Sequence, residues 1–377
     1  MAVARVRLGA VGCGGFARFA LQHFLRVPGV ELEAVADLRP EAARETARRF
    51  GARVVEDPEA LLAARGVDCI YLATPPHLHA AQALRALRAG KHLLVEKPLA
   101  LDEEAAMEMI RLAGERGLLL GVDQMQRHNP LFETVKELID SGLLGAVLHG
   151  YFENYASDED LPPGHWFWNP AQSGGIFIEH GVHFFDLFSG WLGPGRVVAA
   201  QAVERPLPGG GVVTGQVQCT VRYRSGPLVN FYHGFHQPHV LDRQELRLLF
   251  ERGQVTLEGW VPTRLRLAAL VGDREEEGLR RILPRAVETR RERFPEGLRR
   301  CRGRFKEFDA KGRIEWEIGG GTGKLERYGE MLRDLFADQI AWIRDRSHRC
   351  KVTAADGLEA LALAVRATDM AREESGK

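Results

Sequence analysis

The strongest constraint on the fold is the alternation of short β-branched runs with amphipathic helical stretches over the first third of the chain. Residues 3–11 form an apolar run that stops at Gly12-Cys13-Gly14-Gly15. A helical pattern follows over 16–26, with Phe16, Phe19, Ala20 and Phe24 spaced three and four apart. Residues 31–36 read as a second strand ending at Asp37, and Pro40 opens a helix at a position where its missing N–H costs nothing. Strands over 67–73, 91–95 and 118–122, with helices over 78–89 and after the capping residue Asp102, continue the series. Links of a few residues return the chain to the same edge each time, so the strands must be parallel. Residues 1–123 are therefore expected to form a doubly wound α/β sheet.

Beyond residue 123 the alternation ends. Helical patterns over 130–144 and 176–192 flank a strand at 147–155, and strands then succeed one another at 196–202, 215–223, 227–235, 245–250 and 254–258. Such a succession predicts a second α+β domain over 124–377 with a mostly antiparallel sheet, closed by helices over 325–344 and 354–372. Residues 278–313 carry thirteen Arg and Lys against five Asp and Glu, with Pro284 and Pro295. They read as an irregular basic insertion with short helices, its charges paired with acidic surface or turned to a subunit contact or an anionic substrate. The whole chain balances 51 basic against 51 acidic residues, so no global positive field is available for nucleic acid. No apolar run reaches the roughly 18 residues of a membrane span. Residues 1–15 lack the pattern of a secretory leader, and five scattered cysteines form no CxxC pair. The expectation is a soluble, reduced, cytoplasmic protein.

Gly12-Cys13-Gly14-Gly15-Phe16-Ala17 is a G-x-G-x-x-A turn between strand and helix, the pattern of a Rossmann dinucleotide site. Gly12 permits the tight turn, Gly14 lets backbone approach a pyrophosphate, and Ala17 lets the helix pack closely on the strand. Asp37, 25 residues after Gly12, is placed to hold ribose hydroxyls and to repel a 2′-phosphate, which favours NAD. Arg39 leaves NADP open, and Asp37 could instead cap the helix at Pro40. Thr74-Pro75-Pro76-His77 and Glu96-Lys97-Pro98 follow the next two strands. Ligands of such sheets bind off the carboxyl ends of the strands, so Thr74, Pro75, His77, Glu96 and Lys97 are expected around one bound molecule.

These segments, with Leu78-His79, with Gly90-Lys91-His92-Leu93-Leu94-Val95 leading into Glu96, and with Glu179-His180-Gly181-Val182-His183-Phe184-Phe185-Asp186, occur in an order that resembles the Gfo/Idh/MocA oxidoreductases, a family of inositol and sugar dehydrogenases. The resemblance covers nearly the whole chain. It implies a nicotinamide enzyme whose dinucleotide domain precedes an open-sheet domain used for oligomerisation, as a homodimer or homotetramer. It further implies that Lys97, Glu179 and His183 surround the reacting hydroxyl carbon. His183 suits proton transfer because imidazole titrates near neutrality, and Lys97 would favour a developing alkoxide. If 176–192 is helical, Glu179, His183 and Asp186 share a face, so the carboxylate could orient the imidazole. The family usually has Asp where this chain has Glu179, and the lead-in here is Ser173-Gly174-Gly175.

Gln126, Arg127, Trp168, His180 and Asp186 are further candidates to face the substrate, with Trp166 and Asn169 beside Trp168. His233, His236 and His239 do not converge on a strand, and the hydride reaction asks for no metal. The function expected from the resemblance is NAD(P)-dependent hydride transfer at a secondary hydroxyl of a polyol, sugar or sugar derivative. Its rivals are an NAD-dependent redox glycosidase and a non-enzymatic dinucleotide or sugar sensor.

Overall fold

Near-continuous apolar runs make good strands where both faces are covered, and the first sheet is built from them. The computed structural model describes residues 4–375 apart from 159–160, 163, 207–211 and 305. The first sheet holds β1 (Val6–Val11), β2 (Val30–Ala36), β3 (Arg53–Val54), β4 (Cys69–Leu72), β5 (His92–Val95) and β6 (Leu120–Val122), all parallel, in the order β3-β2-β1-β4-β5-β6. Its helices are α1 (Gly15–Phe24), α2 (Pro40–Phe50), α3 (Pro58–Leu62), α4 (His79–Arg88) and α5 (Glu103–Glu115). The Asp102 side chain accepts from the Ala105 N–H at 2.8 Å and caps α5 as expected.

The remaining helices are α6 (Pro130–Ser141), α7 (Pro170–Ser173), α8 (Val182–Leu192), α9 (Asp273–Ile282), α10 (Lys324–Arg344) and α11 (Ala354–Ser375). Chain contacts divide the molecule into two units that are not sequence blocks. The first comprises 1–128, 162–186 and 328–368, and the second 129–161, 187–327 and 369–377. The expected division after residue 123 follows the end of the parallel sheet but omits these returns of the chain. In the first unit Phe336 of α10 stacks on Phe24 of α1 at 4.3 Å between centroids, and Tyr328 meets Phe16 and Phe19. A Cβ on Gly121 would lie 2.8 Å from Gln339 Oε1, so glycine lets α10 approach β6 closely.

The second unit holds a nine-stranded sheet ordered β14-β17-β13-β12-β11-β7-β10-β9-β8, antiparallel throughout except between β7 (Val147–Ala156) and β10 (Leu228–Phe235). Its other strands are β8 (Gly195–Pro206), β9 (Val212–Tyr223), β11 (Arg243–Phe250), β12 (Gly253–Glu258), β13 (Arg264–Val271), β14 (Val287–Arg293) and β17 (Gly312–Gly319). Phe188 packs on Phe231 and Tyr223, and Trp191 stacks on Phe132 while donating to its carbonyl at 3.0 Å.

The basic segment differs from the irregular insertion expected for it. It contributes the end of α9, the edge strand β14, and a hairpin of β15 (Arg299–Arg302) and β16 (Glu307–Ala310). A run dense in Arg and Glu, from Val287 to Arg293, hid a strand, because charge on an edge strand blocks pairing with another chain and replaces the usual apolar alternation. Its cations are largely paired: Arg291 with Glu276 and Glu288, Arg299 with Glu296, Lys306 with Glu251 and Lys311 with Asp273. No helix among the described residues is long and apolar enough to cross a membrane.

Candidate active site

Strand register aligns the carboxyl ends of the first sheet. Val11 pairs with both Ala36 and Leu72, Leu72 with Val95, and Val95 with Val122. The next residues along each strand are Gly12, Asp37, Ala73-Thr74, Glu96-Lys97 and Asp123, so five strand ends deliver their polar residues to one edge. This is where open α/β sheets take ligands.

The glycine turn is shaped by contact. Gly12 has φ +93°, and a Cβ there would lie 2.3 Å from the Ala73 carbonyl oxygen, so only glycine fits. A Cβ at Gly14 or Gly15 would meet nothing within 4 Å. Open space over these two glycines, at the N-terminus of α1 where N–H groups lack helical partners, fits a pyrophosphate. Asp37 does not cap α2, whose N-cap is Arg39. Its carboxylate instead accepts from the Cys13 N–H at 2.7 Å and the Arg39 N–H at 2.8 Å, with Arg39 Nε at 3.3 Å. A carboxylate accepts about four hydrogen bonds, so ribose hydroxyls still have a place on it. The Cys13 side chain is buried, and burial pushes its thiol up to about 11, so this residue serves the turn through its backbone. Phe16 is partly exposed against Tyr328, and Ala17 is buried.

Lys97 and Glu179 meet. Lys97 Nζ donates to the Glu179 carboxylate and, at 2.8 Å, to its carbonyl oxygen. The two side chains are only 17% and 9% exposed, which makes this a charge pair with little water around it. Glu179 lies in a π-helical turn, Phe177–Gly181, that precedes α8, so 176–192 is not the uniform α-helix the spacing predicts. Gly174 and Gly175, at φ +82° and +95°, form the bend before it. Widened turns of this kind are common at functional sites. His180 and His183 are both buried in the same stretch.

Beneath Lys97 lies a group of buried acids. Glu96, expected at the cofactor, accepts from the Tyr71 hydroxyl at 2.5 Å and lies beside Asp123. Burial and the neighbouring Asp123 push the Glu96 carboxyl well above the carboxylate range, and burial raises Asp123 to about 6.

Of the two histidines in the Thr74–His79 stretch, His77 is exposed and His79 is fully buried. His79 stands with Nδ1 2.8 Å from the Pro98 carbonyl oxygen and Nε2 2.8 Å from that of Thr74. Burial pulls this imidazole down to about 4, so at neutral pH it donates to one carbonyl and stands against the other. It bridges the loops that follow β4 and β5, and so positions Lys97. Sequence reasoning passed over His79, although its motif was in view. Thr74 itself donates from Oγ1 to Gln82 at 2.7 Å, and Pro75 precedes the short turn Pro76–Leu78.

Arg127 and Asp186, expected to face substrate, engage each other. Arg127 Nε donates to Asp186 at 2.9 Å and Nη1 to Asp356 at 2.9 Å, and Asp186 is wholly buried. Burial raises Asp186 to about 7 despite the guanidinium. Gln126 is buried, and Trp168 is half-buried against Phe167. Asp356 carried no sequence signal, since its partner lies 229 residues away.

Comparison with known proteins adds the following. Residues 6–124 match the oxidoreductase family described as an NAD-binding Rossmann fold, and residues 132–256 match the GFO/IDH/MocA C-terminal domain. A dTDP-3,4-didehydro-2,6-dideoxy-alpha-D-glucose 3-reductase of Actinomadura kijaniata is 36% identical over 182 residues, 47% of this chain and 53% of that protein. A 1,5-anhydro-D-fructose reductase of Ensifer adhaerens is 30% identical over 239 residues, 61% of this chain and 69% of that protein. The alignments to the most similar curated relatives span about half of those proteins' length. The crystal structure of the WlbA dehydrogenase from Bordetella pertussis, in complex with NADH and UDP-GlcNAcA, shares the fold at TM-score 0.77. It is 22% identical, with 99% of this chain and 97% of that one covered.

Proposed function

The chain belongs to the Gfo/Idh/MocA oxidoreductase family, and on that premise we propose that it is an NAD(P)-dependent oxidoreductase acting on a secondary hydroxyl of a polyol, sugar or sugar derivative. The observation that carries this reading is the buried Lys97–Glu179 pair at the end of β5, on the same sheet edge as the open glycine turn. The sugar reductases among its relatives support the substrate class.

When bound, the nicotinamide supplies hydride exchange. Residues of the chain do the rest. Gly12, Gly14 and Gly15 make room for the pyrophosphate, Asp37 holds the ribose hydroxyls, and Thr74, Pro75 and His77 line the same strand ends. Asp37 makes NAD the preferred dinucleotide, and Arg39, already hydrogen-bonded to Asp37, keeps NADP within reach. Lys97 Nζ donates to the reacting oxygen and favours its anionic form. Glu179 keeps that ammonium aimed through its carboxylate and its carbonyl oxygen. His183 takes the hydroxyl proton in oxidation and returns it in reduction. Gln126, Trp168 and His180 face the substrate, whereas Arg127 and Asp186 hold the π turn and α8 in place. Residues 1–123 carry the dinucleotide in this reading, and 124–377 the substrate and the contacts of a cytoplasmic homodimer or homotetramer.

The test is formation of reduced nicotinamide by purified protein with NAD and, separately, NADP, across inositols, aldoses, amino sugars and uronic acids. Turnover with one class supports the reading and identifies the cofactor. Silence with both dinucleotides, in protein that binds them, overturns it. Light scattering of the same sample tests the oligomer.

A further inference from the structure

From the geometry at the end of α10 we infer a zinc site formed by Asp338, His348 and Cys350 and completed by His128. The connection between α10 and α11 folds back on its own helix. Asp345 Oδ1 accepts from the Ser347 N–H at 2.9 Å and from its hydroxyl at 2.7 Å, which tightens the turn. Three residues further, His348 Nε2 comes within 2.6 Å of Asp338 Oδ1, the Lys351 N–H donates to Asp338 Oδ2 at 2.8 Å, and Cys350 Sγ lies 3.7 Å from the Asp338 carbonyl oxygen. One oxygen, one nitrogen and one sulfur from three side chains therefore lie within 4.8 Å of one another. The inferred fourth donor sits on the turn after β6, beside Asp338 and outside that group of three. His128 Nε2 is 4.0 Å from Asp338 Oδ2, and the two side chains are 6% and 14% exposed.

Two imidazoles, a thiol and a carboxylate on converging segments make a four-donor set of N, O and S. Zinc takes such sets in tetrahedral geometry. The charges also balance, since a thiolate and a carboxylate neutralise a divalent ion at a partly exposed site. Binding replaces the thiol's S–H bond with a zinc–sulfur bond and releases that proton to solvent. The ion would join α10, the α10–α11 connection and the turn that carries Gln126 and Arg127. It is structural, and nothing in the hydride reaction depends on it.

The experiment uses full-length protein stripped by chelation and dialysed against zinc or, as a spectroscopic probe, cobalt. One equivalent of saturable metal is expected, together with a cobalt–thiolate charge-transfer band. Cys350→Ser abolishes the band, and Cys350→Ser and His348→Ala each weaken uptake by about tenfold or more, since even partners of metal ligands cost about 10–100-fold. Cys301→Ser, at the other partly exposed cysteine, leaves both unchanged. A second measurement needs no variant: zinc should slow alkylation of Cys350 in the wild-type chain and leave Cys301 at its metal-free rate. Absence of saturable uptake, uptake unaffected by Cys350→Ser, or equal alkylation with and without zinc would each overturn the site.

Discussion

The carboxyls around Lys97 and those around Arg291 show how one residue type is driven in opposite directions. Glu96 and Asp123 are buried beneath a strand end, and burial raises both. Glu276 lies near the edge strand β14, where hydrogen bonds from Arg291 lower it to about 2. In the first region desolvation outweighs pairing, and in the second pairing outweighs desolvation. Density of charge in the sequence thus pointed away from the chemistry. The most basic stretch is occupied with acids of its own and of adjoining segments, while the carboxyls raised by burial sit among neighbours such as Tyr71 and Leu72.

The comparison breaks most directly at Lys97. Lys97→Ala should lower turnover by about 10²–10³-fold, the range for removing one donor to a developing oxyanion, and His183→Ala by about 10²–10⁴-fold, the range for a general acid–base group. Dinucleotide binding, followed by fluorescence, should survive in both. Full activity in either variant would sink the assignment.

Next comes Arg127. Arg127→Met leaves Asp186 buried and without its guanidinium, which costs about 3–5 kcal/mol when one member of a buried pair is removed. Urea denaturation measures it. A loss below about 1 kcal/mol, the range of exposed pairs, would mean that Asp186 takes up a proton or meets water once the guanidinium is gone.

A smaller loss is expected at His79. Replacement by Leu deletes the bridge between the Thr74 and Pro98 carbonyls and should cost about 1–3 kcal/mol, the penalty for a buried group left unsatisfied. Because the bridge positions Lys97, kcat should fall more than KM rises. Equal stability together with unchanged kcat would reduce His79 to filler.

These expectations show what was legible in the sequence. Strand–helix alternation up to residue 122 was, apart from the two-residue strand β3 and the short helix α3, which no expected element covered, because each β-branched run ends in a turn and each helix has its apolar face. The tight turn at Gly12 was also legible, since it follows from position relative to the strands. Contacts between segments far apart in the chain were not. Lys97 and Glu179 are 82 residues apart, and no local pattern encodes their pairing. The same limit hid Asp356. Strand β14 was lost for a different reason: its partner covers one edge, most of its side chains are exposed, and period-two apolar alternation never develops. His79 was eclipsed by His77 because sequence alone cannot tell apart a histidine within the 3₁₀ turn Pro76–Leu78, which is exposed, from the one that opens α4, which is buried.

The gentlest test separates the regions by the sign of their pH dependence. Asp123 is raised from 3.8 to about 6, so the folded chain holds its proton where the unfolded chain has lost it, and stability falls as pH rises through that window. Asp123→Asn should remove part of this fall. Glu276 is lowered from 4.5 to about 2, so its contribution is complete above pH 4.5 and disappears as pH falls toward 2. Arg291→Ala should flatten the acid side of the curve and cost no more than about 1 kcal/mol at neutral pH, because such pairs are solvent-screened. Added salt should erase the difference between Arg291→Ala and wild type, whereas the Asp123→Asn difference should persist, since a buried acid is shielded from mobile ions. If both differences vanished in salt, the acids beneath Lys97 would be as open to solvent as those on the edge strand, and the contrast between the two regions would be lost.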